Sequence, residues 1–244
     1  YGNPLKGGIG VNGFHGFTAK WNEHPDRDDK WREAEIGRIG EERFRREYGC
    51  EFLVYDETLV NSLILTTLEG TDPILNMGQT RWYKKLDPHA TYVVALDPAM
   101  GTGGDNAAIE VFELPTYKQV AEWKHNTTPI PQQIRIMRDI CNYIKEETKS
   151  SGSNIYWSVE NNTIGESALL VINDFGEDSI PGLFVSEPIR KGHIRKFRKG
   201  FNTTHKTKIS ACSRLKNMVE KEKLKIYSKP LISELKSFIA AGSS

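Results

Sequence analysis

Hydrophobic and polar positions change their rhythm along this chain near residue 91. Before that point apolar residues are sparse. Residues 1–20 are rich in glycine and carry neither a 3.6 nor a 2.0 period, which predicts loop. Residues 28–48 are highly charged, and Trp31, Ile36, Ile39 and Phe44 form the narrow apolar stripe of one or two exposed helices. Residues 51–55 read as a short strand, and residues 70–90, with Gly70, Pro73, Gly78 and Pro88, read as a connector between domains. After residue 91 short apolar runs alternate with amphipathic stretches. Residues 92–96, 107–114 and 119–123 are three strands in succession, joined by the glycine turn at 101–104 and by residues 115–118, an antiparallel meander. A helix follows with Pro131 near its start and Ile134, Met137, Cys141 and Ile144 on one face. Then come a strand at 155–159, a helix through 168–172, a strand at 183–185, and helices at 208–221 and 230–240.

The order βββαβαβα describes a mixed sheet flanked by helices, with the connectivity of an RNase H-like fold, preceded by a mainly helical portion. Two acids stand out against it. Asp97 closes the run 92–96, and Glu160 closes the run 155–159. An unpaired charge is costly inside a core, whereas ligands of open α/β sheets gather beyond the carboxyl ends of the strands. In this connectivity the first strand is central and the strand after the first helix lies beside it, so Asp97 and Glu160 are expected to meet at one sheet edge. Two such carboxylates are hard oxygen donors suited to Mg²⁺ or Mn²⁺. A pair of those ions about 4 Å apart is the usual device for hydrolysing a phosphodiester. Each acid also has a plainer reading: Asp97 precedes Pro98 and can start a turn, and Glu160 precedes Asn161-Asn162-Thr163 and can cap a helix. Asp105, at the end of the glycine turn, either approaches the same edge or only shapes the turn.

Composition narrows the class. The chain has 244 residues, 38% hydrophobic and 27% charged, enough for one large domain or one domain with part of another. It opens at Tyr1 without a charged-then-apolar leader, so it reads as a piece of a longer protein without a secretory signal. No apolar run reaches the roughly 18 residues of a membrane span, and no membrane partner is expected. Cys50, Cys141 and Cys212 are too scattered for a disulfide framework or a zinc site, and the six histidines lack zinc-ligand spacing. Neither a phosphate-loop motif nor a serine nucleophile elbow occurs. The net charge of +1 hides an excess of acid before residue 91 and of base after it. Residues 189–208 hold eight Lys/Arg and no acid. Such a run is either a solvated loop or a surface that meets phosphates.

These residues together resemble a known family. The stretch Val94-Ala95-Leu96-Asp97-Pro98-Ala99-Met100-Gly101-Thr102-Gly103-Gly104-Asp105, followed by Ser158-Val159-Glu160-Asn161-Asn162 and Arg198-Lys199-Gly200-Phe201-Asn202-Thr203-Thr204, resembles the nuclease domain of tailed-phage terminase large subunits. Upstream, Trp21, His24-Pro25, Asp28, Trp31, Phe44 and Glu47-Tyr48-Gly49-Cys50-Glu51-Phe52 resemble the end of the same family's packaging ATPase domain. The resemblance implies a remnant of the ATPase domain at 1–68, a connector at 69–90 and the nuclease domain at 91–244. Because the nucleotide-binding motifs are absent, ATP hydrolysis by this piece is not expected. The implied activity is a Mg²⁺- or Mn²⁺-dependent endonuclease with a two-metal site, cutting concatemeric double-stranded DNA when packaging starts and ends. Asp97 and Glu160 would be its catalytic metal ligands. The family's third acid belongs to an acidic pair on a helix after the last one seen here, which leaves Asp105 as the nearby partial substitute and the domain truncated before its last helix. Lys191, Arg195, Lys196, Arg198, Lys199, Lys206 and Lys208 would hold the DNA backbone. The implied partners are DNA, a portal protein and the small terminase subunit, and the implied place is the host cell cytoplasm, on the prohead. Another RNase H-like nuclease, such as a resolvase or transposase, and a DNA-gripping module without catalysis are the alternatives.

Overall fold

The computed structural model describes residues 21–41, 44, 48, 58–191 and 194–238, apart from the side chains of 188–198. The sequence-predicted loop at 1–20 and strand at 51–55 lie outside the described residues. The chain divides into two compact units between Tyr55 and Asp56.

In the first unit, helix α1 (Asp29–Ile39) starts at Asp28, whose carboxylate accepts a hydrogen bond from Trp31 N at 2.8 Å. Trp31 then heads an aromatic cluster. Its ring lies 6.3 Å from Trp21, 5.9 Å from Phe44 and 5.2 Å from Tyr48, and the Arg27 guanidinium sits 4.6 Å above it. Phe44 is buried, so the narrow apolar stripe of the sequence has found a core of its own.

The second unit is built on a seven-stranded sheet, ordered β1-β2-β5-β4-β3-β6-β7. Inside it runs β3 (Thr91–Asp97), antiparallel to β4 (Ala107–Leu114) and parallel to β6 (Ile155–Val159). β5 (Lys118–His125) continues the meander, and β7 (Leu183–Phe184) closes the far edge. Alternation along β3 buries Tyr92, Val94 and Leu96 on one face and leaves Ala95 and Asp97 exposed on the other. The buried face meets α3 (Ile130–Thr148), which inserts Ile134, Met137, Ile140, Cys141 and Ile144, and α4 (Thr163–Phe175), which inserts Ala168 and Ile172. Burial pushes the Cys141 thiol up to about 12, so it behaves as core filling.

Residues 75–82, inside the stretch that the sequence presents as a connector, form a hairpin on the sheet edge: β1 (Leu75–Met77) and β2 (Thr80–Trp82). Three-residue strands are too short to show a period among Gly and Pro, and β2 is held by pairing Arg81 with Glu122 and Trp82 with Ala121. Helix α2 (Ser62–Thr67) likewise belongs to the second unit, although the sequence boundary at 68 sets it in the first. It buries Leu65 and touches the last helix, α6 (Lys229–Ser237). A separate hairpin, β8 (Glu187–Lys191) with β9 (Ile194–Arg198), carries the basic run, and α5 (His205–Glu220) follows it behind a Thr204–Thr207 capping box.

One buried amide ties the second sheet face to α6. Gln119 is fully buried; its Nε2 donates to Glu110 Oε2 at 2.8 Å, and its Oε1 accepts from the backbone N–H groups of Tyr227 and Ser228, both at 2.8 Å. Ser228 in turn caps α6, accepting from Leu231 N at 3.0 Å. Among the described residues no cation is bonded to Glu110. Burial pushes its carboxyl up to about 8, Gln119 opposes the rise, and the negative charges of Glu122 and Glu234 add to it.

Two expectations follow from this packing. A Cβ on Gly165 would lie 1.9 Å from the Glu160 carbonyl oxygen, so Gly165→Ala must force α4 away from the end of β6. We expect it to cost roughly 1–3 kcal/mol of stability, as overpacking does, read by denaturant unfolding; an unchanged midpoint would contradict the close approach. Glu110 keeps its proton from the ordinary value of 4.5 up to about 8, so in that window the folded state binds more protons than the unfolded chain. Its stabilising effect is complete below that window and is lost as the pH rises through it. Glu110→Gln should therefore match the wild type at pH 5 and exceed it at pH 8 by roughly 1–3 kcal/mol, allowing for solvent at the cleft. The same stability difference at both pH values would contradict the burial of a proton there.

Candidate functional site

Parallel pairing sets the geometry of the two strand-end acids. Leu96 is in register with Val159, and the Glu160 N–H donates to the Leu96 carbonyl at 2.9 Å, so Asp97 and Glu160 stand level on neighbouring strands. Neighbouring strands lie about 4.8 Å apart, which puts the two carboxylates within mutual reach. Asp97 is exposed as a residue, yet its carboxyl is held well above the usual carboxylate range. The causes are burial against the cleft wall, a hydrogen-bonding contact with Glu160, and the negative charges of Glu160 and Asp105. Glu160 Oε2 accepts from Asn162 Nδ2 at 2.9 Å, while Asn162 Oδ1 caps α4 by accepting from Ile164 N and Gly165 N. One asparagine thus fixes both the Glu160 side chain and the helix behind it.

The remaining sequence-predicted residues fall into two groups. Asp105 is exposed in the glycine turn and reaches Asp97 through its charge. Among the described residues no set of three or more His, Cys, Asp or Glu converges to hold a metal, so Asp105 does not complete a cluster. Of the basic residues, Lys191, Arg195, Lys196 and Arg198 lie on the hairpin strands β8 and β9. Lys199 is exposed and pairs with Glu177 at 2.9 Å, and Lys206 and Lys208 are exposed in the first turn of α5. The base of the hairpin is anchored beside the acids: Asn161 N donates to Phe201 O at 2.7 Å, Phe201 N to Val159 O at 2.9 Å, and Asn161 Nδ2 to Lys199 O at 2.8 Å.

The acids open into a cleft of about 420 Å³, within the range of ligand sites. Besides Asp97 and Glu160 it is lined by Glu110, Glu122, Lys124, Phe201, Thr203 and, from α6, Pro230, Leu231 and Glu234. Glu122 accepts from Arg81 Nε at 2.8 Å and is buried, and Lys124 pairs with Glu234. The sequence reading passed over Glu110, Glu122, Lys124 and Glu234. The signal for the first three was present: charged residues inside strands of a meander must share a face that is not core.

The donor set fits a hard divalent cation. Two carboxylates held this close share a proton or a cation, and Mg²⁺ is commonly bound by one or two carboxylates, with substrate phosphate and water completing its shell. The absence of a third ligand among the described residues is compatible with that mode.

Comparison with known proteins agrees with the fold. A family model described as the terminase RNaseH-like domain matches residues 94–244. Among solved structures, the large terminase nuclease of thermophilic phage G20c with bound magnesium is similar at a TM-score of 0.55 and 14% identity, covering 76% of this chain and 82% of that one. The zinc-bound form of the same nuclease is similar at 0.52 and 16% identity, covering 75% of this chain and 91% of that one. At such identities the likeness concerns the fold, whereas the family model spans more than half of the sequence. With an RNase H-like sheet that brings Asp97 and Glu160 together, this chain belongs to the terminase RNaseH-like domain family.

Proposed function

We propose that this chain is a divalent-metal-dependent endonuclease acting on double-stranded DNA, the cutting part of a phage packaging terminase. The observation that carries the reading is the level pair of Asp97 and Glu160 at the carboxyl ends of β3 and β6, in a chain of this family. Bound between them, Mg²⁺ or Mn²⁺ would polarise the scissile phosphodiester and stabilise charge on the leaving oxygen. Asp97 and Glu160 hold the negative charge that such ions require, and Asn162 keeps Glu160 aimed at the shared site. Related nucleases crystallised with magnesium, cobalt and zinc support a site for divalent ions without choosing among them.

The DNA backbone is expected to follow the basic hairpin β8–β9 and the first turn of α5. Lysines at the start of a helix oppose its macrodipole, an arrangement that suits an approaching anion. Contacts of this kind position a duplex without reading its sequence. That suits an enzyme that cuts concatemeric DNA to begin packaging and again to end it. On the same reading the first compact unit is the end of the packaging ATPase domain, the portal protein and the small terminase subunit are partners, and the work is done at the prohead in the host cytoplasm. Among the described residues no helix is long and apolar enough to cross a membrane.

Nicking of supercoiled plasmid in Mg²⁺ or Mn²⁺ tests the proposal. Asp97→Asn and Glu160→Gln should each lower the rate by more than about 100-fold, since even residues that only support metal ligands cost 10–100-fold. Thermal unfolding should stay at or above that of the wild type, because each change relieves repulsion between two acids. Variants that cut at the wild-type rate would overturn the assignment.

A further inference from the structure

Among the described residues that line the cleft, Lys124 is the one basic side chain, set against Asp97, Glu110, Glu122, Glu160 and Glu234. Its place is fixed by register. Asp97 lies opposite Ala108, and Ala108 lies opposite Lys124, so all three share one cross-strand row and one face of the sheet. Two strand spacings separate Lys124 from Asp97, about 10 Å. Phosphates of one DNA strand succeed each other about every 3.4 Å along the helix axis. A duplex whose axis runs across the strands from the acid pair therefore carries further phosphates over the span of about 10 Å to Lys124.

The present partner of Lys124 is the Glu234 carboxylate on α6. That pair is open to solvent, with 31% of the lysine side chain and 56% of the glutamate side chain exposed. Pairs of this kind contribute only about 0–1 kcal/mol, so the contact does little for stability and is readily exchanged. Its effect is to hold a cation in a cleft otherwise lined by acids. A phosphodiester entering there meets strong repulsion from the same carboxylates that would bind metal.

We propose that Lys124 is a DNA-phosphate contact inside the cutting cleft, and that Glu234 occupies it until a phosphate takes its place. The inference rests on the nuclease reading and adds a substrate contact to it, outside the basic hairpin. Glu234 then acts as a competitor that weakens binding of DNA seated away from the cleft floor less than binding of DNA seated in it.

Fluorescence anisotropy with a short duplex, without divalent ions and across a range of salt, tests this in the whole chain. Lys124→Met should lower the slope of log affinity against log salt by about 0.9, the value of one phosphate contact. Lys124→Arg should keep the slope. Lys145→Met, which removes an exposed charge from α3 on the opposite face of the sheet, should also leave it unchanged. Glu234→Gln should tighten binding in the wild-type background and have no effect in the Lys124→Met background, because its action passes through the lysine. Equal slopes for Lys124→Met and Lys145→Met would overturn the inference. So would a Glu234→Gln gain of the same size with and without Lys124, which is what a general reduction of negative charge predicts. In either case the nuclease reading stands. A wild-type chain that shows no salt-dependent binding to DNA would overturn the nuclease reading and this inference with it.

Discussion

Parallel pairing of β3 with β6 forces two carboxylates to the same level at one end of the sheet, and the rest of the site is arranged around that repulsion. Two unit charges about 5 Å apart repel by about 3 kcal/mol at an effective dielectric constant of 20. The register cannot relax to avoid this, because a slip by one residue would turn Tyr92, Val94 and Leu96 out of the core. The hydrophobic face of the sheet thus holds the acids together. Burial against the cleft wall, with the contact and charge of Glu160 added, makes Asp97 keep its proton far above the normal range. A divalent ion would satisfy the same pair without a proton, and this is the physical ground for proposing a metal site there.

The two faces of one sheet accordingly do different work. One is sealed by α3 and α4 and supplies the core. The other keeps Glu110, Glu122 and Lys124 on the face of the acid pair, and α6 is moored over them by Gln119. Asn162 and Asn161 perform the corresponding service on the β6 side, the first fixing Glu160 and the second fixing the root of the basic hairpin. Burial of apolar residues on one side and hydrogen bonding by the amides of Gln119 and Asn162 on the other place Glu110 and Glu160.

Much of this was legible in the residues. The strands at 92–96, 107–114 and 155–159 announced themselves by β-branched and aromatic runs, and α3 by its four apolar positions at helical spacing. Helices α5 (His205–Glu220) and α6 (Lys229–Ser237) lie within a few residues of the expected limits, 208–221 and 230–240. That Asp97 and Glu160 would meet followed from strand order alone. The hairpin β1–β2 was hidden because β2 is held by β5, some forty residues on, which no local pattern reveals. Glu234 stayed hidden for a similar reason: α6 reaches the sheet through contacts such as Ser228 to Gln119, 109 residues apart. The place of α2 was missed because Leu65 finds its burial in the second unit, next to a helix far along the chain.

The claim on which the account turns is that Asp97 and Glu160 share a divalent ion. Anomalous diffraction from crystals soaked in Mn²⁺ at mildly alkaline pH, where the Asp97 carboxyl is ionised, is the test. An anomalous peak between the two side chains, lost in Asp97→Asn, is the expected result. A well-ordered cleft with no peak there, or a peak that persists without the Asp97 carboxylate, would contradict it.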